Sequence, residues 1–140
     1  MLPEEIVEKA ADFHGHLGPF LIIGVRLGLA GLKKLGACDS KGLSVTASLP
    51  LRVPFSCIID GIQVTTKCTV GNQKLLLIDS KKIQAEFRRK GKKRVVISLK
   101  DSALEKLRMQ LRQEGTTDEQ VRQMASKIAA TPESDLFTIS

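Results

Sequence analysis

The sequence predicts an α+β domain: helices at the N-terminus, a mostly antiparallel or mixed sheet in the middle, and helices again at the C-terminus. Three observations carry this. Apolar residues recur at helical spacing up to about residue 35 and again beyond 101. Between these helical regions lie short alternating runs separated by turns rich in glycine and asparagine. The 140 residues are 42% hydrophobic and 26% charged, the make-up of a folded soluble chain of about one domain.

Pro3, Glu4 and Glu5 suit a first helical turn, and Ile6, Ala10 and Phe13 repeat at helical spacing, so the spacing predicts a helix over about 3–12. "HGHLG" breaks the pattern. Pro19 fits the first turn of a second helix running to about Leu35, apolar nearly all round. Its Gly24, Gly28 and Gly31 weaken a helix unless another backbone packs closely there. "GLSVTASLP" (42–50) alternates as a strand. Pro54 can open a short third helix that buries Phe55, Ile58, Ile59 and Ile62. "TKCTVG", "KLLLID", "KIQAEFRR" and "KRVVISLK" read as successive strands, with turns at Gly71-Asn72 and at Lys90-Gly91-Lys92. Helices follow over about 101–114 and 117–130, the second capped by Thr117, and "DLFTIS" reads as a last edge strand. Residues 1–140 are expected to form one domain.

Composition narrows the function. With no Trp or Tyr and five Phe, the core must be aliphatic. The longest apolar run, Leu17 to Leu32, is interrupted by Arg26 and is short for a membrane span. "LPEEIVEKAAD" is acidic where a secretory signal is basic, so a cytoplasmic protein with no membrane partner is expected. The three cysteines, at 38, 57 and 68, make no disulfide framework and are read as free thiols or ligands.

The net charge of +7 is uneven: Lys81–Arg94 holds eight basic residues and one acid. That arm could dock an anionic partner. It lacks interleaved aromatics, which disfavours a nucleic-acid platform, and lysines also simply protect an edge hairpin.

"DFHGHLGPF" contains the only two histidines, His14 and His16. In an extended segment their side chains point the same way, so both rings could reach one ligand. Two imidazoles alone make a poor zinc site; Cys, Asp or Glu must contribute. They could equally be ordinary polar residues at a helix boundary. Cys57, in or near the first turn of the third helix, would have its thiolate favoured by the helix dipole, with Asp60 one turn on. It could instead be a small buried thiol. Cys68 follows after a spacing that fits no zinc ribbon or finger, and Cys38 has no companions.

Three stretches in this order, "FHGHLGPFLIIGVRLG", "CIIDGIQVTTKCTVGN" and "IDSKKIQAEF", resemble the core domain of the formylmethanofuran dehydrogenase E-subunit family over about residues 3–100. The resemblance implies an α+β core, usually homodimeric, in which His14, His16, Cys57 and Cys68 converge on one metal-binding cleft. Asp60, Gln63 and Asn72 would stand nearby, the last two as cofactor-binding residues. There is no CxxC-type tail, so the family's accessory zinc-binding module is expected to be absent, and 101–140 reads as a helical extension. The family's His-x-Cys-Pro is here His16-Leu17-Gly18-Pro19, so one thiol is replaced by Gly18. Lys67 replaces a glycine and puts a cation beside Cys68.

Three functions follow. In the first, a divalent metal, zinc foremost, is held by the His and Cys side chains beside a small ligand. If the site is catalytic, Asp60, His14 or Cys57 would take part in the chemistry. The second is a metal-free thiol enzyme with Cys57 as nucleophile and His14 or His16 as base. The third is a non-enzymatic accessory protein that docks through residues 81–94.

Overall fold

The structure, a computed structural model, describes residues 2–36, 41–111 and 117–140; Cys38 lies outside the described residues. At its centre is α2 (Pro19–Leu35), begun by Gly18 and Pro19 and ended by Gly36 at φ 64°. Leu21, Ile22, Ile23, Val25 and Leu27 on it are at most 1% exposed. It is the all-round apolar helix the sequence predicts.

Before it lies α1 (Glu4–His14), which Gly15 ends in the left-handed region at φ 103°. This helix runs longer than its spacing predicts and takes in His14. Ala10 is fully buried, whereas Phe13, expected on the same face, is 59% exposed. The buried stripe of α1 instead continues from Ala10 to His14, one turn further on.

The sheet is mixed, in the order β2-β1-β3-β4-β5. Strand β1 (Leu43–Leu49) runs parallel to β2 (Leu75–Asp79) and antiparallel to β3 (Gln84–Arg89). Next come β4 (Val95–Leu99) and, at the far edge, β5 (Phe137–Ile139), both antiparallel to their neighbours. Val45, Ala47, Ala85, Phe87 and Ile97, at most 1% exposed, form the inner face, while Gln84 and Glu86 point outward half-buried and Arg88 is exposed. The β3–β4 turn falls where predicted, with Gly91 at φ 80°. Helices α4 (Asp101–Leu111), α5 (Asp118–Ala130) and the short α6 (Glu133–Leu136) lie between β4 and β5 in the chain. Thr117 and Gln120 form a reciprocal capping box at the start of α5, so that helix starts where Thr117 predicts.

Two predictions in the centre of the chain are corrected. Pro54 does not open a helix: it follows a cis peptide in a turn, and α3 spans Cys57–Thr66. "TKCTVG" is not a strand. Thr65 and Thr66 stay helical, their hydroxyls donating to the carbonyls of Gly61 and Ile62. Lys67 then ends α3 in the left-handed region at φ 62°. The run Thr66–Gly71 looks like a strand, but Thr66 still belongs to α3 and the left-handed turn at Lys67 breaks the run, so it cannot continue as one extended strand.

The glycines of α2 explain the helical layer. A Cβ on Gly24 would overlap the carbonyl of Ile58, and one on Gly61 the backbone of Leu21 and Val25. Helices α2 and α3 therefore meet backbone to backbone. Gly31 likewise leaves room for the Phe87 ring, seating α2 on the sheet.

Gly24→Ala or Gly61→Ala should destabilise the fold by about 3 kcal/mol or more, because rigid backbone must move. A Cβ on Gly71 meets nothing nearer than 3.8 Å, so Gly71→Ala should stay within about 0.5 kcal/mol of the parent. Denaturant midpoints check this, and equal shifts at the three positions would contradict the close crossing.

Candidate functional site

His14 closes the buried stripe of α1, and its side chain is only 12% exposed. Gly15 then reverses the chain, bringing the His16 ring back to 4.7 Å from the His14 ring, tilted by 36°. The two rings meet because of this reversal and not, as their spacing suggests, because the segment is extended. His16 itself is exposed.

The partner of His14 comes from α3. Asp60 stands beside Gly61, and its Oδ2 lies 2.6 Å from His14 Nδ1. Gln63, one turn on, donates from Nε2 to Asp60 Oδ1 at 3.3 Å and accepts from the Val70 N–H at 3.1 Å. A carboxylate only accepts, so with Asp60 ionised His14 Nδ1 is the donor, and in the neutral ring Nε2 then presents a lone pair. That Nε2 is buried and has no hydrogen-bond partner. A ring fixed at one nitrogen by a carboxylate and unmet at the other is how metal-ligating or proton-transferring histidines are held.

The remaining predicted residues are placed as follows. Cys57 is the first residue of α3 and half-buried. Burial, and then the Asp60 carboxylate, push its thiol above the ordinary range; a backbone hydrogen bond opposes them. The expected dipole-favoured thiolate is thus reversed, because desolvation and a nearby carboxylate outweigh the N–H groups of the helix end.

Cys68 is fully buried in the core, with Sγ 3.5 Å from the Leu43 carbonyl oxygen. Burial raises this thiol too, against a Thr66 hydrogen bond and the charge of Lys74. Lys67, expected to put a cation beside Cys68, is exposed at the end of α3. Asn72 accepts from the N–H groups of Thr69 and Lys74 and donates to the Lys67 carbonyl, holding the loop after α3. Gln63 and Asn72 thus both bond to protein groups.

The structure brings together His14, His16 and Asp60, with Cys57 within the field of Asp60. It does not bring Cys68 to them. Among the described residues, no three His, Cys, Asp or Glu gather closely enough to hold a metal ion. Of these side chains, His14 offers a buried nitrogen, Nε2, that no protein group meets. Gly18 leaves room for a side chain: a Cβ there would lie 3.8 Å from His16 Nε2, at ordinary contact distance.

The fold and the site define a class of protein: a helical layer on a mixed sheet, centred on a histidine oriented by a carboxylate. The chain belongs to the family described as "FmdE, Molybdenum formylmethanofuran dehydrogenase operon", whose model matches residues 13–138. The match takes in α4, α5 and β5, beyond the stretch that carried the resemblance. A tungsten formylmethanofuran dehydrogenase E-subunit (FmdE)-like protein from Syntrophus aciditrophicus shares the fold, with TM-score 0.68 at 21% identity over 98% of this chain and 70% of that one. A probable S-adenosyl-L-methionine-binding protein of Archaeoglobus fulgidus is 39% identical over 72 residues, covering 51% of this chain and 20% of the relative. The matched stretch therefore spans about a fifth of that relative's length. No described helix is long and apolar enough to cross a membrane.

Because the Cys57 thiol is held up, it stays protonated to higher pH than a free thiol, whose midpoint is about 8.5. Alkylation of Cys57, followed by peptide mass mapping, should rise with a midpoint above that of the unfolded chain. Asp60→Asn removes one of the two raising causes, so its midpoint should move down. An unchanged midpoint would separate Cys57 from Asp60.

Proposed function

We propose that this FmdE-family chain is a small-ligand protein whose centre is His14, and that a divalent metal, zinc foremost, is held there. His14 Nε2 and the neighbouring His16 ring would be its ligands, leaving positions open for water or a small ligand. The observation that carries this is the 2.6 Å bond from Asp60 to His14 Nδ1 with Nε2 buried and unmet. When bound, such a metal polarises a carbonyl or acidifies a water. Asp60 keeps the proton on Nδ1 and fixes the ring, and Gln63 holds Asp60 in place.

Cys68 is left out of this set because its thiol is turned into the core against Leu43. A thiol enzyme built on Cys57 is the weaker reading, since both burial and Asp60 oppose its thiolate.

Elemental analysis of the purified chain should find a bound divalent ion that His14→Ala loses. Asp60→Asn, with the ring no longer oriented, should weaken metal affinity roughly 10–100-fold, while Asn72→Ala should retain it. Metal content unchanged in folded His14→Ala would rule this centre out.

The homodimer implied by the resemblance finds support at the β2 edge. Leu76 and Ile78 there are 62% and 51% exposed, and residues 75–79 carry no lysine to discourage pairing. Sedimentation should report a dimer that Leu76→Lys weakens; a parent chain monomeric at every concentration would exclude it.

A further inference from the structure

The basic arm that stands out in the sequence is divided by the fold. Arg88 and Arg94 lie on the outer sheet face and its turn, both paired to Glu86 at 3.0 Å. Lys81 and Lys82 lie at the other end of β3 and line a crevice of about 760 Å³ together with Arg52, Arg108, Asp79 and Asp101. Arg52 comes from the loop after β1 and Arg108 from α4, so four cations from three parts of the chain face one hollow.

The topology explains the hollow. Strands β1 and β2 are parallel and in register, with Leu49 beside Asp79. Their chains therefore leave the sheet at the same end and diverge, one toward α3 and the other toward β3. The space beyond the carboxyl ends of neighbouring parallel strands is where open α/β sheets receive ligands.

The charges there are only partly answered. Among the described residues, none of the four cations forms an ion pair with a carboxylate, and Asp79 accepts the Leu51 N–H at 3.0 Å. The two guanidinium groups are also held in place: each stands 5.6 Å from the centroid of the same Phe55 ring. That ring packs edge-on against Phe20 at 5.3 Å and is 8% exposed. A guanidinium stacked on a ring keeps its N–H fork free for an anion, already oriented.

We propose that this crevice binds a small ligand carrying two or three linked phosphates, gripped by Arg52 and Arg108 with Lys81 and Lys82 at the rim. Arginine forks match phosphate oxygens bidentately, and lysines add point charge. The four cations exceed the two carboxylates, Asp79 and Asp101, by two, so the hollow favours an anion, and two arginine forks, each able to take one phosphate bidentately, match two linked phosphates better than one. Phe55 is covered, so no aromatic face is available for stacking bases and a single-stranded nucleic acid is the poorer fit.

The test is calorimetric titration of the full chain with inorganic pyrophosphate. Saturable binding that weakens with salt is expected. Arg52→Gln with Arg108→Gln should lower affinity roughly tenfold or more, and Lys81→Gln with Lys82→Gln should also lower it. Lys92→Gln with Lys93→Gln removes the same charge at the hairpin turn and should leave affinity unchanged. His14→Ala should also bind normally, which separates this crevice from the histidine centre. No saturable binding, an equal loss in the Lys92/Lys93 pair, loss in His14→Ala, or citrate binding as tightly as pyrophosphate would each overturn the proposal. Should the arginine pair fail to fold, the exposed lysine pair decides alone, and unchanged affinity there overturns it.

Discussion

The backbone contact between α2 and α3 through Gly24 and Gly61 is the constraint from which the rest of the molecule follows. Only glycine lets the Ile58 carbonyl lie against α2 and the Leu21 and Val25 backbone lie against α3. Asp60 is the next residue to Gly61, so the depth of this crossing sets how far its carboxylate reaches. His14 is tied to α2 through the short segment from Gly15 to Gly18. A 2.6 Å bond between them therefore depends on a helix separation held to a fraction of an ångström, which close packing can maintain.

A polar cost accompanies that geometry. The inward stripe of α1 is apolar at Ala10 and ends in an imidazole whose Nε2 meets no partner. An unmet buried polar atom typically costs about 1–3 kcal/mol. Folds tolerate such conflicts mainly where function requires them, and a core that extends from α2 through the sheet to Ile128 and Phe137 can sustain one. The same desolvation acts on Cys57. Its thiol stands at a helix start that would favour charge, yet burial and Asp60 keep it neutral.

Charge is redistributed in a similar way. The linear run from Lys81 to Arg94 is not one patch, because β3 carries its two halves to opposite ends of the strand. One part is neutralised through Glu86. The other joins Arg52 and Arg108 beyond the ends of β1 and β2, where the parallel pair opens the sheet. The local sequence shows how much positive charge there is, but which charges share a surface depends on strand pairing.

Much of the fold was legible in the sequence because its signals are local. Pro19 and the apolar run define α2, the capping box at Thr117 starts α5, and "KIQAEFRR" reads as the strand that becomes β3. The α2 glycines announced a close neighbour without naming it. Signals that depend on competition were misread: Pro54 and the Thr-rich end of α3 each permit two conformations, and long-range packing selects one. The candidate site was legible as a set of residues, but its wiring was not. By itself the sequence determined an α+β chain with an aliphatic core, two neighbouring histidines and a family resemblance. Only the tertiary structure decided that His14 faces Asp60, that Gln63 holds that carboxylate, and that Cys68 belongs to the core. The physical reason is that residue types and periodicities are local properties, whereas each of these pairings depends on how closely two helices or strands approach.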